Sequence, residues 1–196
     1  MYKKIQKAAD VSPAFDERRL AEATADLVSL AGGTIELTML KRALYLGERA
    51  AIRETLRPIF GGRYRSEADT PVSAEFVELL QVEKPSDQAK ALWLRHFNLS
   101  SGRVTVRNPV VTKALSRKDK GRLSAALTLI SGQTSEQAAL KMEAECPEWS
   151  TNSGDTYGVE TILEALGHDA ETVEKVLSNI SYEAAVAARY EIREAG

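Results

Sequence analysis

The chain is 196 residues long, 43% hydrophobic and 28% charged, an ordinary globular composition with enough length for one sizeable core. No run of about 18 apolar residues occurs, which excludes a membrane-spanning helix and leaves a membrane out as a partner. The formal net charge of −2 hides a polarity: residues 1–122 hold 22 Lys+Arg against 15 Asp+Glu, and residues 123–196 hold 4 against 13. Such polarity favours oriented encounter with a charged partner, or marks two faces that pack together; the plainer reading is solvated surface.

Met1-Tyr2-Lys3-Lys4-Ile5 is basic, but Ala8, Asp10 and Pro13 follow instead of an apolar stretch, so the start is not read as a secretory signal. Ser12-Pro13 predicts a helix start, with Leu20, Ala23, Leu27 and Leu30 at helical spacing and Gly32-Gly33 as the stop. Thr34 is expected to cap a longer helix running to about Arg57, ended by Pro58. Its apolar residues form two stripes, Leu37, Leu40, Leu44 and Ala51 on one side, Ile35, Met39, Leu46 and Ala50 on another. A helix apolar on two sides is a buried central helix.

Ser73 is the expected cap of a short helix carrying Phe76, Val77 and Leu80. Leu92–Phe97, Ser100-Ser101-Gly102 and Val104-Thr105-Val106 read as a hairpin closed by Asn108-Pro109. Ser116 with Asp119 opens the next helix, carrying Leu123, Ala126, Leu127 and Ile130. Thr134 with Gln137 forms a capping box before a helix stopped by Pro147. Ile162, Leu163 and Leu166 lie on a short helix ended by Gly167; Asp169 caps a further segment, and Ser181 restarts the chain into a last helix through Tyr190. The expected fold is mainly α, a single compact helical domain over residues 1–196 with one small antiparallel β-hairpin.

Residue types that carry chemistry are sparse. His96 and His168 are isolated and lack metal-ligand spacing, and each reads as structural or simply exposed. The single cysteine, Cys146, rules out an internal disulfide and fits a reducing cytoplasm; Glu145 and Glu148 beside it would raise its thiol pKa. Gly61-Gly62 lacks phosphate-loop spacing, and zinc would need Cys/His pairs that are absent. No catalytic residue, metal or cofactor is therefore expected, and the chain is read as a non-enzyme.

Two basic clusters stand out. Arg49, Arg53 and Arg57 recur every four residues on one helix face, with Tyr45, Glu48, Arg63, Tyr64 and Arg65 nearby. Arginine and tyrosine anchor protein interfaces because they combine contact area with directed hydrogen bonds. The competing reading is a solvated face paired with Glu48, Glu54 and Glu67. The second cluster, Arg103, Arg107, Lys113, Arg117, Lys118, Lys120 and Arg122, follows the hairpin and would suit a nucleic-acid-binding regulatory protein. The pI near 5.8, the acidic tail and the lack of a base-reading helix weigh against a nucleic acid as partner. Pro147-Glu148-Trp149 places a tryptophan that is expected to fill core.

A series of short motifs then follows in order: Leu40-Lys41-Arg42-Ala43-Leu44-Tyr45-Leu46-Gly47-Glu48-Arg49, Arg57-Pro58-Ile59-Phe60-Gly61-Gly62-Arg63-Tyr64, Pro71-Val72, Leu115-Ser116-Arg117-Lys118-Asp119, Pro147-Glu148-Trp149 and Ile162-Leu163-Glu164-Ala165-Leu166-Gly167. Over roughly residues 15–180 this series resembles the SocA-like, or Panacea, antitoxin domain family, which includes phage-associated GepA-like proteins. Glu48 stands where that family has aspartate, Thr70 where it has glycine, and Glu143-Ala144 where it often has Thr-His. The resemblance implies a cytoplasmic, prophage-type antitoxin that neutralises a cognate toxin protein by direct binding, or an adaptor that passes the toxin to a protease. The expected partner-binding residues are Tyr45, Glu48, Arg49, Arg53, Arg63, Tyr64 and Arg65, with Leu44 and Trp149 as core. Oligomeric state and toxin identity are not specified by the sequence.

Overall fold

The computed structural model describes residues 12–68, 70–81, 92–93, 95–111, 113–151 and 156–194. The basic segment Met1–Ile5 lies outside the described residues, as does Leu94 of the expected hairpin stretch. Helix α1 (Glu17–Leu30) starts later than the Ser12-Pro13 signal, because the Asp16 side chain accepts the Arg19 N–H and is the cap. Leu20, Ala23 and Leu27 of its stripe are buried, whereas Leu30 is exposed. Gly32 and Gly33, both at positive φ, turn the chain out of the helix.

The expectation of one helical domain with a single hairpin is overturned: the fold is mixed, with eight helices and two three-stranded antiparallel sheets among the described residues. Thr34 does not cap a helix. Thr34–Glu36 is a strand, β1, that pairs through Ile35 with Val104. A hairpin forms, but its first strand is β4 (Phe97–Ser100), since residues 92–93 and 95–96, expected within it, are helical; it turns through Ser101 and Gly102 at positive φ into β5 (Arg103–Val106), so the first sheet runs β1-β5-β4. The second sheet was not anticipated. Its strands, β2 (Tyr64–Ser66), β3 (Pro71–Ser73) and β6 (Thr156–Tyr157), are two or three residues long, too short for period-two alternation to register, and β6 arrives from the far end of the chain.

Helix α2 (Leu37–Thr55) is the central helix that its double stripe predicts: every residue from Arg42 to Arg49 is buried. It ends at Leu56, in the left-handed region, before Pro58. Helix α3 (Ala74–Leu80) is capped by Ser73 Oγ, which accepts the Phe76 N–H. Helices α4 (Arg117–Ile130) and α5 (Ser135–Glu145) both begin with the expected capping boxes, Ser116/Asp119 and Thr134/Gln137. Pro147 does more than stop α5, since it is the first residue of a short helix, α6 (Pro147–Thr151). After α7 (Val159–Ala165) comes α8 (Ala170–Glu194), continuous through Ser181 rather than restarted there; Asp169 Oδ1 accepts the Thr172 N–H at its start.

Helix α4 crosses α2 at Gly47, where an added Cβ would lie 2.6 Å from Leu123 Cδ2 and 3.4 Å from its Cα. Leu123 is fully buried and cannot swing outward. A Gly47→Val substitution is therefore expected to cost about 1–3 kcal/mol by overpacking, read as a lower urea midpoint with an unchanged m-value. An unshifted midpoint would show that the two helices can separate freely at this crossing.

Candidate functional site

On a helix, residues 45 and 49 share one face and residue 48 points to the neighbouring stripe. In a buried helix each polar group there needs a partner. Tyr45 and Arg49 converge on Glu148 of α6: its Oε1 accepts the Tyr45 hydroxyl at 2.8 Å and Arg49 Nε at 2.7 Å, and its Oε2 accepts Arg49 Nη2 at 3.3 Å. The Arg49 and Glu148 side chains are 5% and 0% exposed, so this is a buried ion pair. The Tyr157 hydroxyl donates to the Tyr45 oxygen at 3.1 Å, extending the chain of bonds to β6. Burial above all, with the nearby Glu148 charge adding to it, pushes the hydroxyls of Tyr45 and Tyr157 above the ordinary tyrosine range.

Glu48 serves the turn after α2. Its carboxylate accepts the backbone N–H groups of Ile59 (2.6 Å), Phe60 (3.2 Å) and Gly61 (3.0 Å) and the Tyr64 hydroxyl (3.0 Å). Burial pushes its pKa up to about 7 against the opposing pull of those four bonds. Gly61 is at positive φ, and a Cβ there would meet the Ala14 carbonyl oxygen, which explains a glycine at this tight approach.

Four of the seven residues expected to form a partner-binding surface, Tyr45, Glu48, Arg49 and Tyr64, are thus interior, and the surface reading is corrected for them: their polar groups are spent on holding α2, the 59–61 turn, α6 and the second sheet together. Arg63 is half-buried beside Glu75, whose carboxylate accepts its backbone N–H. Arg65 is half-buried in the middle strand of the second sheet, between Val72 and Thr156. Only Arg53 is exposed. Leu44 is core as expected; Trp149 is partly buried, and its indole N–H donates to the Glu67 carbonyl at 3.2 Å. The partner that sequence reasoning missed is Glu148. The sequence held only part of the signal: an arginine buried on this helix must find a carboxylate, but nothing local separates the buried Arg49 from the exposed Arg53 one turn on.

Chemistry elsewhere is quiet. Cys146 is fully buried, and burial first, then Glu148, push its thiol up to about 12. His96 ends a helical turn before β4, its Nδ1 3.1 Å from the Asn108 carbonyl; His168 follows α7. Among the described residues no group of three or more His, Cys, Asp or Glu could hold a metal, and no helix is long and apolar enough to cross a membrane.

A groove of about 660 Å³ lies between α2 and α4. Its floor is Leu46 and Ala50, the end of the second stripe of α2, with Ala126 and Leu129 of α4. Arg53, Lys118 and Arg122 stand around it. Arg122 is neutralised by Glu54 (2.7 Å) and Asp119 (2.8 Å), while Arg53 and Lys118 make no ion pair among the described residues. The groove is thus an apolar floor rimmed by Arg53 and Lys118 and by two carboxylates, Glu54 paired with Arg122 and Glu145 paired with Lys141. No protein-family model, curated protein or solved structure matches this chain.

Proposed function

We propose that the chain is an antitoxin-type binding protein that neutralises a cognate toxin by holding it, and that the α2–α4 groove is where it holds. One observation carries this reading. Of the six motif segments on which the antitoxin resemblance rests, Leu40–Arg49 lies in the central helix and the other five, scattered from Arg57 to Gly167, fold onto or beside it. Glu48 caps the Ile59–Gly61 turn, Tyr45 and Arg49 seize Glu148, the Ser116/Asp119 box starts the helix that crosses Gly47, and α7 packs on α2.

The motifs then define the scaffold, and the working surface lies where the scaffold leaves apolar area and charge unspent. The groove suits an amphipathic helix of the partner. Ala50, Gly121, Ala125 and Ala126 allow close backbone approach, and acidic residues flanking an apolar ridge would meet Arg53 and Lys118. Binding occludes the toxin, and no bond is made or broken by this chain.

The test is co-expression with the product of the neighbouring gene. The neighbour alone is expected to arrest growth, and this chain to restore growth while co-purifying with it. The Arg53→Glu, Lys118→Glu double variant is expected to weaken the complex at least about tenfold, since each reversal replaces an attraction by a repulsion of order 1 kcal/mol. A harmless neighbour that does not co-purify would sink the antitoxin reading. Full affinity in the double variant would sink the groove alone.

A further inference from the structure

The positive charge of the chain is concentrated in one stretch. Residues 1–94 hold 14 Lys+Arg and 14 Asp+Glu, whereas residues 95–122 hold eight Lys+Arg and one acid, Asp119. The fold spends some of this charge. Lys120 is paired with Glu22 (2.7 Å) and Asp26 (2.9 Å), Arg122 with Glu54 and Asp119, and Arg103 with Glu36 across the first sheet. Arg95, Arg107 and Lys113 have no carboxylate partner among the described residues, nor has Arg18 of α1.

The unspent cations gather at the open end of the β4–β5 hairpin. There the Arg107 N–H donates to the His96 carbonyl (2.7 Å) and Asn108 Nδ2 donates to the Arg95 carbonyl (2.6 Å), so Arg95, His96 and Arg107 are tied side by side. A carbonyl can only accept, so His96 donates to Asn108 through Nδ1, which fixes the ring against the loop after β5. Arg107 Nε donates to Asn98 Oδ1 at 2.7 Å, a neutral partner that steadies the guanidinium without cancelling its charge. Next to this end lies an open cleft of about 550 Å³, lined by Arg18, His96 and Lys113 with Leu92, Pro109 and Val111, and by no carboxylate among the described residues. The carboxylates behind it are engaged: Glu17 accepts the Trp93 N–H, and Glu22 accepts those of Ala114 and Leu115 as well as Lys120.

We infer that the hairpin's open end, with Arg18, Arg95, Arg107 and Lys113, is a binding site for the phosphodiester backbone of a nucleic acid. Its four cations are exposed and come from α1, the hairpin's open end and the loop after it, and Arg95 and Arg107 lie outside the lining of the cleft that Arg18 and Lys113 share. That layout matches a polymer with one charge every ~1.7 Å of duplex better than a single small anion. The acidic pI does not oppose it, because the acidic excess belongs to residues 123–196 and none of these lines the cleft. The contacts would be to backbone, so binding would be insensitive to sequence.

The probe is a fluorescein-labelled DNA duplex of about 20 base pairs, titrated with the full chain by anisotropy at several salt concentrations. The expected Kd is on the order of 1–100 μM at physiological salt, tightening steeply as salt falls. Arg18→Ala with Lys113→Ala, both exposed and bonded to nothing that holds the fold, should raise Kd about tenfold and flatten the salt slope by about 1–2. Its urea midpoint should stay at the wild-type value. The groove variant Arg53→Glu, Lys118→Glu should keep the slope contribution of the hairpin end, so this site and the partner groove fail independently. The inference is overturned by absence of binding at about 50 mM salt, or by an unchanged Kd in the Arg18, Lys113 variant. It is equally overturned if inorganic phosphate alone competes at its own low-millimolar Kd or below, or if polyglutamate of equal charge binds as tightly. The first of these would mark a small-anion site, the second an acidic protein partner.

Discussion

Replacing Glu148 with alanine is expected to lower folding stability by about 3–5 kcal/mol, the largest loss foreseen for any single substitution here. The cost comes from what is left behind. Arg49 is 5% exposed, and its guanidinium would lose both the charge and the two acceptor oxygens that justify its burial. Tyr45 would lose the acceptor of its hydroxyl in the same step. Removing all the polar members together should cost far less, because desolvating a buried ion pair offsets most of its attraction. The quadruple variant Tyr45→Phe, Arg49→Met, Glu148→Leu, Tyr157→Phe, which also removes the hydroxyl that donates to Tyr45, is accordingly expected to fall within about 1 kcal/mol of the wild type or to exceed it. Urea midpoints at fixed m-value read both. A Glu148→Ala variant within about 1 kcal/mol of wild type would mean that water reaches Arg49, and the pair is not the lock described above.

The contrast between that lock and the groove explains how much of this molecule its sequence discloses. Local signals were readable: Ser73, Ser116 with Asp119, and Thr134 with Gln137 cap the helices expected of them, and Gly32-Gly33 ends α1. The two stripes of α2 correctly marked a central helix, and Ser101-Gly102 marked the hairpin turn. Pairings between distant segments were not readable. Thr34–Glu36 looks like a helix start until Val104 is placed opposite Ile35, and Tyr157 has no reason to be a strand until Tyr64 lies beside it.

The same non-locality misplaced the site. Tyr45, Glu48, Arg49 and Tyr64 have the composition of an interface hot spot, and composition cannot distinguish a hot spot from a buried polar lock, since both need large side chains with directed hydrogen bonds. Burial decides, and burial here depends on α6 and on the second sheet. Arg53 survives as a surface residue because it lies one turn beyond the point where those elements cover α2. Its groove partner Lys118 belonged, in sequence, to the other basic cluster. Only the α2–α4 crossing at Gly47 brings the two cations to one groove.

Glu48 leads to the second large effect, a stability that falls as pH rises through neutrality. The ordinary carboxylate value is 4.5, and in the folded chain burial raises Glu48 to about 7, so between these values the folded state binds a proton that the unfolded state has released. The stabilisation is fully present below about pH 4.5 and is lost as pH climbs through about 7, to a total of about 3 kcal/mol. Most of that loss, about 2–3 kcal/mol, should fall between about pH 5 and pH 8. Other groups titrate in this range, so the informative quantity is the difference between the wild type and Glu48→Gln, which keeps an acceptor for the Ile59–Gly61 turn and carries no proton to lose. The gap between the two urea midpoints is expected to shift in the glutamine variant's favour by that amount as pH increases. Parallel profiles would mean that the four hydrogen bonds from Ile59, Phe60, Gly61 and Tyr64 outweigh burial and keep the carboxylate charged throughout. The turn after α2 would then be held by a permanent anion, and its grip would not weaken above neutral pH.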